Sequence, residues 1–413
     1  MAKTTILGLG GTIDYELHWD ARILGSLAAE SGIVDLGSTA PQVIDSERTL
    51  VLSVLHHLRA GTGGEHFVET PEVIERFAAR FGYRTTLGGT PVRAALAMSS
   101  LGIGSTVHLV SIDDDVRRLL PADVDYLCSA EHDSTDPHLI VQYPANARIR
   151  IGDEEVVASS ANRLIYPSDH PNAELRLSRD LPEALSGAGV FLISGMNSMQ
   201  QRDTLDARLE ELIAAMKSLP LEAVTIYENA GFHIPGFSQI VLDALAPHVD
   251  IVSLNEDELI GALERPVDLL DPIDLTASVR EFAARVPTPT IVLHTRHFAL
   301  AHGERASRMR AVLASGTAAS GARYAYGDNA TRDDVERLDA NGQRSAAGQS
   351  LADSLQGNEE FCVVPAFDLQ DVSTPTTIGL GDTFVGGAVA ALVRAQSESR
   401  AEQIVEEVDQ SPR

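Results

Sequence analysis

The sequence predicts an α/β protein, built as a doubly wound, mainly parallel sheet with a small β-rich lid. Three observations predict it. From about residue 183, short apolar runs at 190–194, 224–227, 250–254 and 290–294 alternate with helical patterns, the order of a parallel sheet. Between 138 and 182 the period drops to two, and turn residues such as Pro144, Asn146, Gly152, Asp153, Pro167, Asp169 and Pro171 crowd in, as in short antiparallel strands. Near the start, an apolar run at 4–8 leaves through Gly8, Gly10 and Gly11 towards Asp14, which sets a carboxylate at the C-terminal end of a first strand. Residues 1–12, 45–137 and 183–413 are assigned to the large domain, and 13–44 and 138–182 to the lid.

Taken in order, 4–8 is a buried strand and 40–80 is mixed and helical. Its His56, His57 and His66 suit a polar helix face better than a metal site, since no carboxylate or cysteine spacing accompanies them. Gly88-Gly89-Thr90-Pro91 precedes an alanine-rich helix at 92–101, where Pro91 suits the first turn. Residues 106–112 read as a strand. In the lid stretch, 139–141, 148–151, 155–157, 163–166 and 174–177 read as strands. Leu205, Leu209, Leu212, Ile213 and Met216 mark one face of a helix. Further helices are expected at 237–246, 276–285 and 331–340, and a strand at 298–300. Gly386 opens a small-residue run to Val393 that reads as a last helix, just behind Gly379-Leu380-Gly381-Asp382.

Composition narrows the class. The chain of 413 residues is long enough for one large domain plus a smaller one, and 44% hydrophobic with 22% charged residues is a globular balance. No apolar run reaches the ~20 residues of a membrane-crossing helix. No secretory pattern opens the chain, and the two cysteines, Cys128 and Cys362, form no disulfide framework, so a reducing cytoplasm is the expected location. A net charge of −27 disfavours nucleic acid, whose phosphates require a basic surface. Lys3 and Lys217 are the only lysines, so any phosphate contact must use arginine or backbone N–H groups. Arg22, Arg84, Arg93 and Arg202 lie near the candidate loops, and the sequence does not choose among them.

Four loops at strand ends carry the chemistry: 194–197 with Asn197, Glu228, 255–258, and Gly379 to Asp382. In open parallel sheets such ends converge on a ligand. Gly379 and Gly381 at a helix start allow an anion to meet bare N–H groups, and Asp382 behind them suits proton abstraction from a hydroxyl. Asn255 and Glu258 share a first helical turn and, with Glu228, suit a magnesium ion that keeps much of its water. Each motif also has a plain alternative: a glycine turn with Asp as N-cap, or acidity that complements a helix dipole.

Asn255-x-x-Glu258 together with Gly379-x-Gly381-Asp382 resembles the ribokinase-like superfamily, and more closely its ADP-dependent glucokinase/phosphofructokinase branch. The resemblance covers nearly the whole length. Residues 9–17 look like that branch's sugar-contact stretch, Gly88-Gly89 like its glycine pair, 191–197 like its strand ending in Ser-Gly-Leu-Gln, and Thr377 to Thr383 like its Thr-x-Gly-x-Gly-Asp-Thr run. The resemblance implies a Rossmann-like ribokinase fold and transfer of the terminal phosphate of ADP, with Mg2+, to a hydroxyl of a sugar or sugar phosphate. It implies Asp382 as general base and Arg163 as a lid arginine on the transferred phosphate. It places Gly379, Gly381, Thr377 and His294 at the nucleotide, Asp14, Gly88, Gly89 and Asn197 at the sugar, and Glu228, Glu258 and Asp382 around the metal. The chain departs from the branch at Ile226-Tyr227-Glu228, where His-x-Glu is usual, and at Gly10-Gly11-Thr12-Ile13-Asp14, Thr90 and Asn197. Two alternatives stay open: an ATP-dependent ribokinase-like sugar or nucleoside kinase, and a non-catalytic nucleotide or sugar binder.

Overall fold

The computed structural model describes residues 3–372 and 375–409. Positions 1–2, 373–374 and 410–413, which fall in the expected large domain, lie outside the described residues.

Nine strands form the large sheet, in the order Phe361–Pro365, Phe298–Gly303, Thr290–His294, Ile251–Asn255, Val224–Glu228, Ala188–Ile193, Thr4–Gly8, Ser105–Leu109 and Val124–Cys128. All are parallel except Phe298–Gly303, which runs against both neighbours. Successive residues of each strand face opposite layers. Phe191, Ile193 and Leu293 pack on one side with Leu209, Leu212, Val241 and Phe282. Leu192, Ile226 and Val292 pack on the other with Met98, Leu313, Phe384 and Val389. The first strand sits inside the sheet, and the chain grows away from it in both directions. The order therefore reverses between Thr4–Gly8 and Ala188–Ile193, the place where such sheets open a crevice. Backbone bonds tie the two exits together there, Ser194 N–H to the Gly8 carbonyl at 2.7 Å and Leu9 N–H to the Ser194 carbonyl at 2.9 Å.

The lid is a second sheet of five strands, ordered Gly64–Glu65, Asn162–Tyr166, His138–Tyr143, Thr12–Leu17 and Tyr83–Gly88, with a separate hairpin of Arg148–Ile151 and Glu154–Val157. Helices Ala21–Glu30, Glu47–Ala60 and Pro71–Ala78 close its own core of Leu27, Val54, Leu55, Ile74, Phe77, Leu139 and Tyr166. Here the structure corrects the expected boundaries. Residues 47–88, assigned to the large domain from sequence, supply helices and two strands to the lid. Their apolar stripes are ordinary amphipathic ones, and a stripe does not record which sheet it covers.

Two local corrections follow the same logic. Residues 174–177 form no strand; a short helix, His170–Glu174, occupies this stretch because Asp169 accepts from the Asn172 N–H and Pro171 fits the first turn. The last helix starts at Leu380, ahead of Gly386, so Asp382 lies inside its first turn. Among the described residues no helix is long and apolar enough to cross a membrane.

Candidate active site

Asp382 stands at the start of the last helix, behind a sharp entry at Gly379. Gly379 has φ +65°, and a Cβ there would sit 2.6 Å from the Arg93 side chain, so only glycine fits. The Gly379 carbonyl accepts from both the N–H of Thr383, at 3.0 Å, and its hydroxyl, at 2.7 Å. The first-turn N–H groups after Gly379 have no acceptor within the helix, which suits an anion. The Thr90 hydroxyl donates to Asp382 Oδ1 at 2.8 Å, from the first turn of the helix Thr90–Ser100.

Arg93, one turn further along that helix, is buried and central. Its Nη2 donates to Asp14 Oδ2 at 2.9 Å and lies 3.9 Å from Glu16 Oε1, and its Nε is 4.0 Å from Asp382 Oδ2. Burial opposes its charge, but the carboxylates of Asp14, Asp382 and Glu16 outweigh it and raise its pKa above the usual arginine value. One guanidinium thus serves a lid carboxylate and the candidate base. Asp14, buried on the lid strand Thr12–Leu17, also accepts from Thr12 Oγ1 at 2.7 Å. On the neighbouring strand Gly88 pairs with Thr12, and a Cβ there would come within 2.4 Å of an Asp14 oxygen. Gly89 turns the chain into the Thr90 helix.

From the lid, Arg163 reaches down and donates to the Thr377 carbonyl at 3.0 Å, on the approach to Gly379. Burial and the nearby Arg93 pull its pKa down, partly offset by Asp382. Asn197 sits half-buried in a one-turn helix, Met196–Ser198, at the crevice mouth.

Glu228 ends one strand, and Glu258 stands in the first turn of the helix that follows the adjacent strand. Glu228 is buried; Oε1 bonds His294 Nε2 at 2.9 Å, and Oε2 has no hydrogen-bond partner. The Glu258 oxygens accept from Asn255 N–H at 3.0 Å and Asn255 Nδ2 at 2.9 Å, a capping box at the start of that helix. Burial and the Glu228 charge raise its pKa to about 7. Among the described residues no three His, Cys, Asp or Glu side chains gather tightly enough to hold a metal alone. The unpartnered Glu228 oxygen fits an ion held mainly by water and phosphate. His294 ends the next strand of the large sheet. Its ring is spent on Glu228 and packs on Phe384, with centroids 4.8 Å apart, beneath Gly381.

Sequence reasoning passed over several of these partners. Arg93 was one of four arginines without a role, although an arginine in an otherwise small and apolar helix is a signal of a buried partner. Beside Asp14 in the lid sheet, His138 bonds Asp169 Oδ2 at 3.0 Å, and Asn172 Nδ2 ties Asp169 Oδ2 and the Gly11 carbonyl at 2.7 and 2.9 Å. Across the domain boundary, His233 lies 3.1 Å from Glu65. No spacing in the sequence links these pairs.

Comparison with known proteins decides what this arrangement belongs to. The conserved region of the ADP-specific phosphofructokinase/glucokinase family matches residues 3–391. The chain belongs to this family. As a member of the ADP-specific phosphofructokinase/glucokinase family it is a sugar kinase by descent, with its fold expected to recur in solved relatives. A phosphofructokinase from Pyrococcus horikoshii OT3, solved with AMP, is 17% identical, with a TM-score of 0.76 over 96% of this chain and 99% of that one. The last common ancestor of ADP-dependent phosphofructokinases from Methanosarcinales is 16% identical, with a TM-score of 0.74 over 95% and 94%. An ADP-dependent kinase in complex with fructose-6-phosphate and ADPβS is 15% identical, with a TM-score of 0.69 over 95% and 94%. No curated protein matches the chain in sequence. At these identities the likeness extends the family's fold to this chain and leaves the acceptor open.

Proposed function

We propose that the chain is an ADP-dependent, magnesium-requiring phosphotransferase that moves the terminal phosphate of ADP to a hydroxyl of a sugar or sugar phosphate. The observation that carries this reading is the meeting of Asp382, Thr90 and Arg93 at the helix start behind Gly379. Asp382 takes the proton of the attacking hydroxyl, held in place by the Thr90 hydroxyl. The N–H groups after Gly379 receive the charge that develops on the phosphoryl oxygens, and Arg163 adds a cation from the lid side. Asp14 accepts from acceptor hydroxyls, with its own charge balanced by Arg93. Glu228, supported by Glu258, would hold the waters of a magnesium ion, whose charge would neutralise phosphate charge.

The test is turnover of free and phosphorylated sugars with ADP or ATP, run with and without Mg2+. Turnover requiring ADP and Mg2+ is expected, together with a loss of about 10²–10⁴-fold for Asp382→Asn, the size of general-base catalysis. Full activity of that variant, or a preference for ATP, refutes the reading. Binding of ADP and sugar with no product by phosphorus NMR supports a non-catalytic binder.

A further inference from the structure

We propose that Asp328 is a positioning residue: it bridges an arginine of the lid and an arginine that holds the phosphate loop, and so aligns the two substrates. The bridge rests on the phosphoryl-transfer reading of Gly379 to Asp382. It begins at the loop. The carbonyl of Ile378, directly before Gly379, accepts from Arg323 Nε at 2.7 Å, and the N–H of Thr376 donates to the Tyr324 carbonyl at 3.1 Å. The end of the helix Arg310–Tyr326 therefore fixes the entry to the loop from one side. Arg323 is buried, and its Nη1 donates to Asp328 Oδ1 at 2.8 Å. The other oxygen of Asp328 lies 2.9 Å from Arg84 Nη2.

Arg84 belongs to the lid strand Tyr83–Gly88, and the same Nη2 donates to Glu16 Oε2 at 2.7 Å. Glu16 Oε1 accepts from Thr86 and faces Arg93 at 3.9 Å. The chain of charges is thus continuous: Ile378 carbonyl, Arg323, Asp328, Arg84, Glu16, Arg93, and from there Asp14 and Asp382. Asp328 is its only step between the two domains that contacts neither substrate's expected site. Arg84 is half-exposed and Asp328 about one-third exposed, at 53% and 32% of their side-chain surface. Pairs so open add little to stability. Their value lies in geometry: the lid carries Asp14 and Arg163, the loop carries the anion site, and in-line transfer fails when the two are misaligned.

A double-mutant cycle on Arg84→Met and Asp328→Asn tests the bridge. Both variants are expected to unfold close to the parent temperature and to lose turnover number, with the KM for each substrate changing less than about twofold, the mark of an interaction used in the transition state. Arg84→Met should cost about fivefold or more in the parent and under about twofold in Asp328→Asn, a coupling typical of direct partners. Asp328→Glu should restore part of the loss. Hydrogen exchange gives a readout apart from activity. Among the described residues Arg84 pairs with Glu16 and Asp328 and makes no hydrogen bond or ion pair to 376–383, yet Arg84→Met should speed exchange there and leave the large-sheet strands unchanged. Additive losses, or unchanged exchange at 376–383, overturn the bridge. A parent chain that turns over no sugar refutes the kinase reading, and exchange at 376–383 alone then decides the bridge.

Discussion

Arg93→Met is expected to destabilise the protein by about 3–5 kcal/mol at pH 7, the cost of stranding a buried charge by removing its partner. The magnitude follows from what the guanidinium faces: Asp14 at 2.9 Å, Glu16 at 3.9 Å and Asp382 at 4.0 Å, with Arg93 and Asp14 both almost fully buried. Methionine keeps much of the arginine stem's volume, so the loss reports charge more than packing. Urea denaturation of the parent, Arg93→Met, Asp14→Asn and the double variant gives the four corners of a cycle. The double variant should be more stable than the two single losses summed, because removing both partners of a buried pair costs less than stranding one. A loss below about 1 kcal/mol, or additivity, would refute the assignment of Arg93 as the shared cation.

Gly379→Ala should lower stability by about 1–2 kcal/mol from the left-handed backbone alone. It also pushes on Arg93, so steady-state turnover should fall about 10²-fold; activity within a few-fold of the parent would show that the loop entry tolerates a side chain. His138 provides a pH test. Burial alone would lower its pKa, but the Asp169 hydrogen bond and charge raise it to about 9. The stability this contributes is fully present below about pH 6.5 and is lost as pH rises through 9, on the order of 3 kcal/mol in all. Asp169→Asn should remove that alkaline decline, and an unchanged decline would place its origin elsewhere.

Most of the large domain was legible because a parallel strand buried on both faces is a short apolar run, and 190–194, 224–227, 250–254 and 290–294 stand out as such. The loop at Gly379 was legible because its parts are contiguous: one stretch supplies the turn, the free N–H groups and the carboxylate. The lid was legible only in its period-two half. Residues 47–88 contribute a two-residue strand, Gly64–Glu65, and an edge strand, Tyr83–Gly88, each too short or too polar to announce its sheet. The partners of Asp14 were illegible for a related reason. Arg93 follows Asp14 by 79 positions, and Asp382 meets Thr90 across 292. A hydrogen bond closed by tertiary folding leaves no spacing to read.

That same discontinuity separates the two halves of the site physically. The phosphoryl half is held by the geometry of one helix start, which the glycines and the Thr383 bonds define locally. The proposed acceptor half is assembled from lid strands: Asp14 on one, with Thr86 opposite it and Gly88 two residues further along the same neighbour, and His138 level with it on a third. Its positions can change chemistry without disturbing the helix start, provided one constraint holds. Arg93 must remain balanced, since among the described residues it alone pairs with Asp14 while facing Asp382. Any change of charge at Asp14 therefore alters the field at Asp382, the proposed base, whereas a change at Asn197, outside this ion network, does not. Neutral substitutions at the sugar end are thus compatible with retained phosphoryl transfer, and charge-changing ones at Asp14 are not unless Arg93 changes with them.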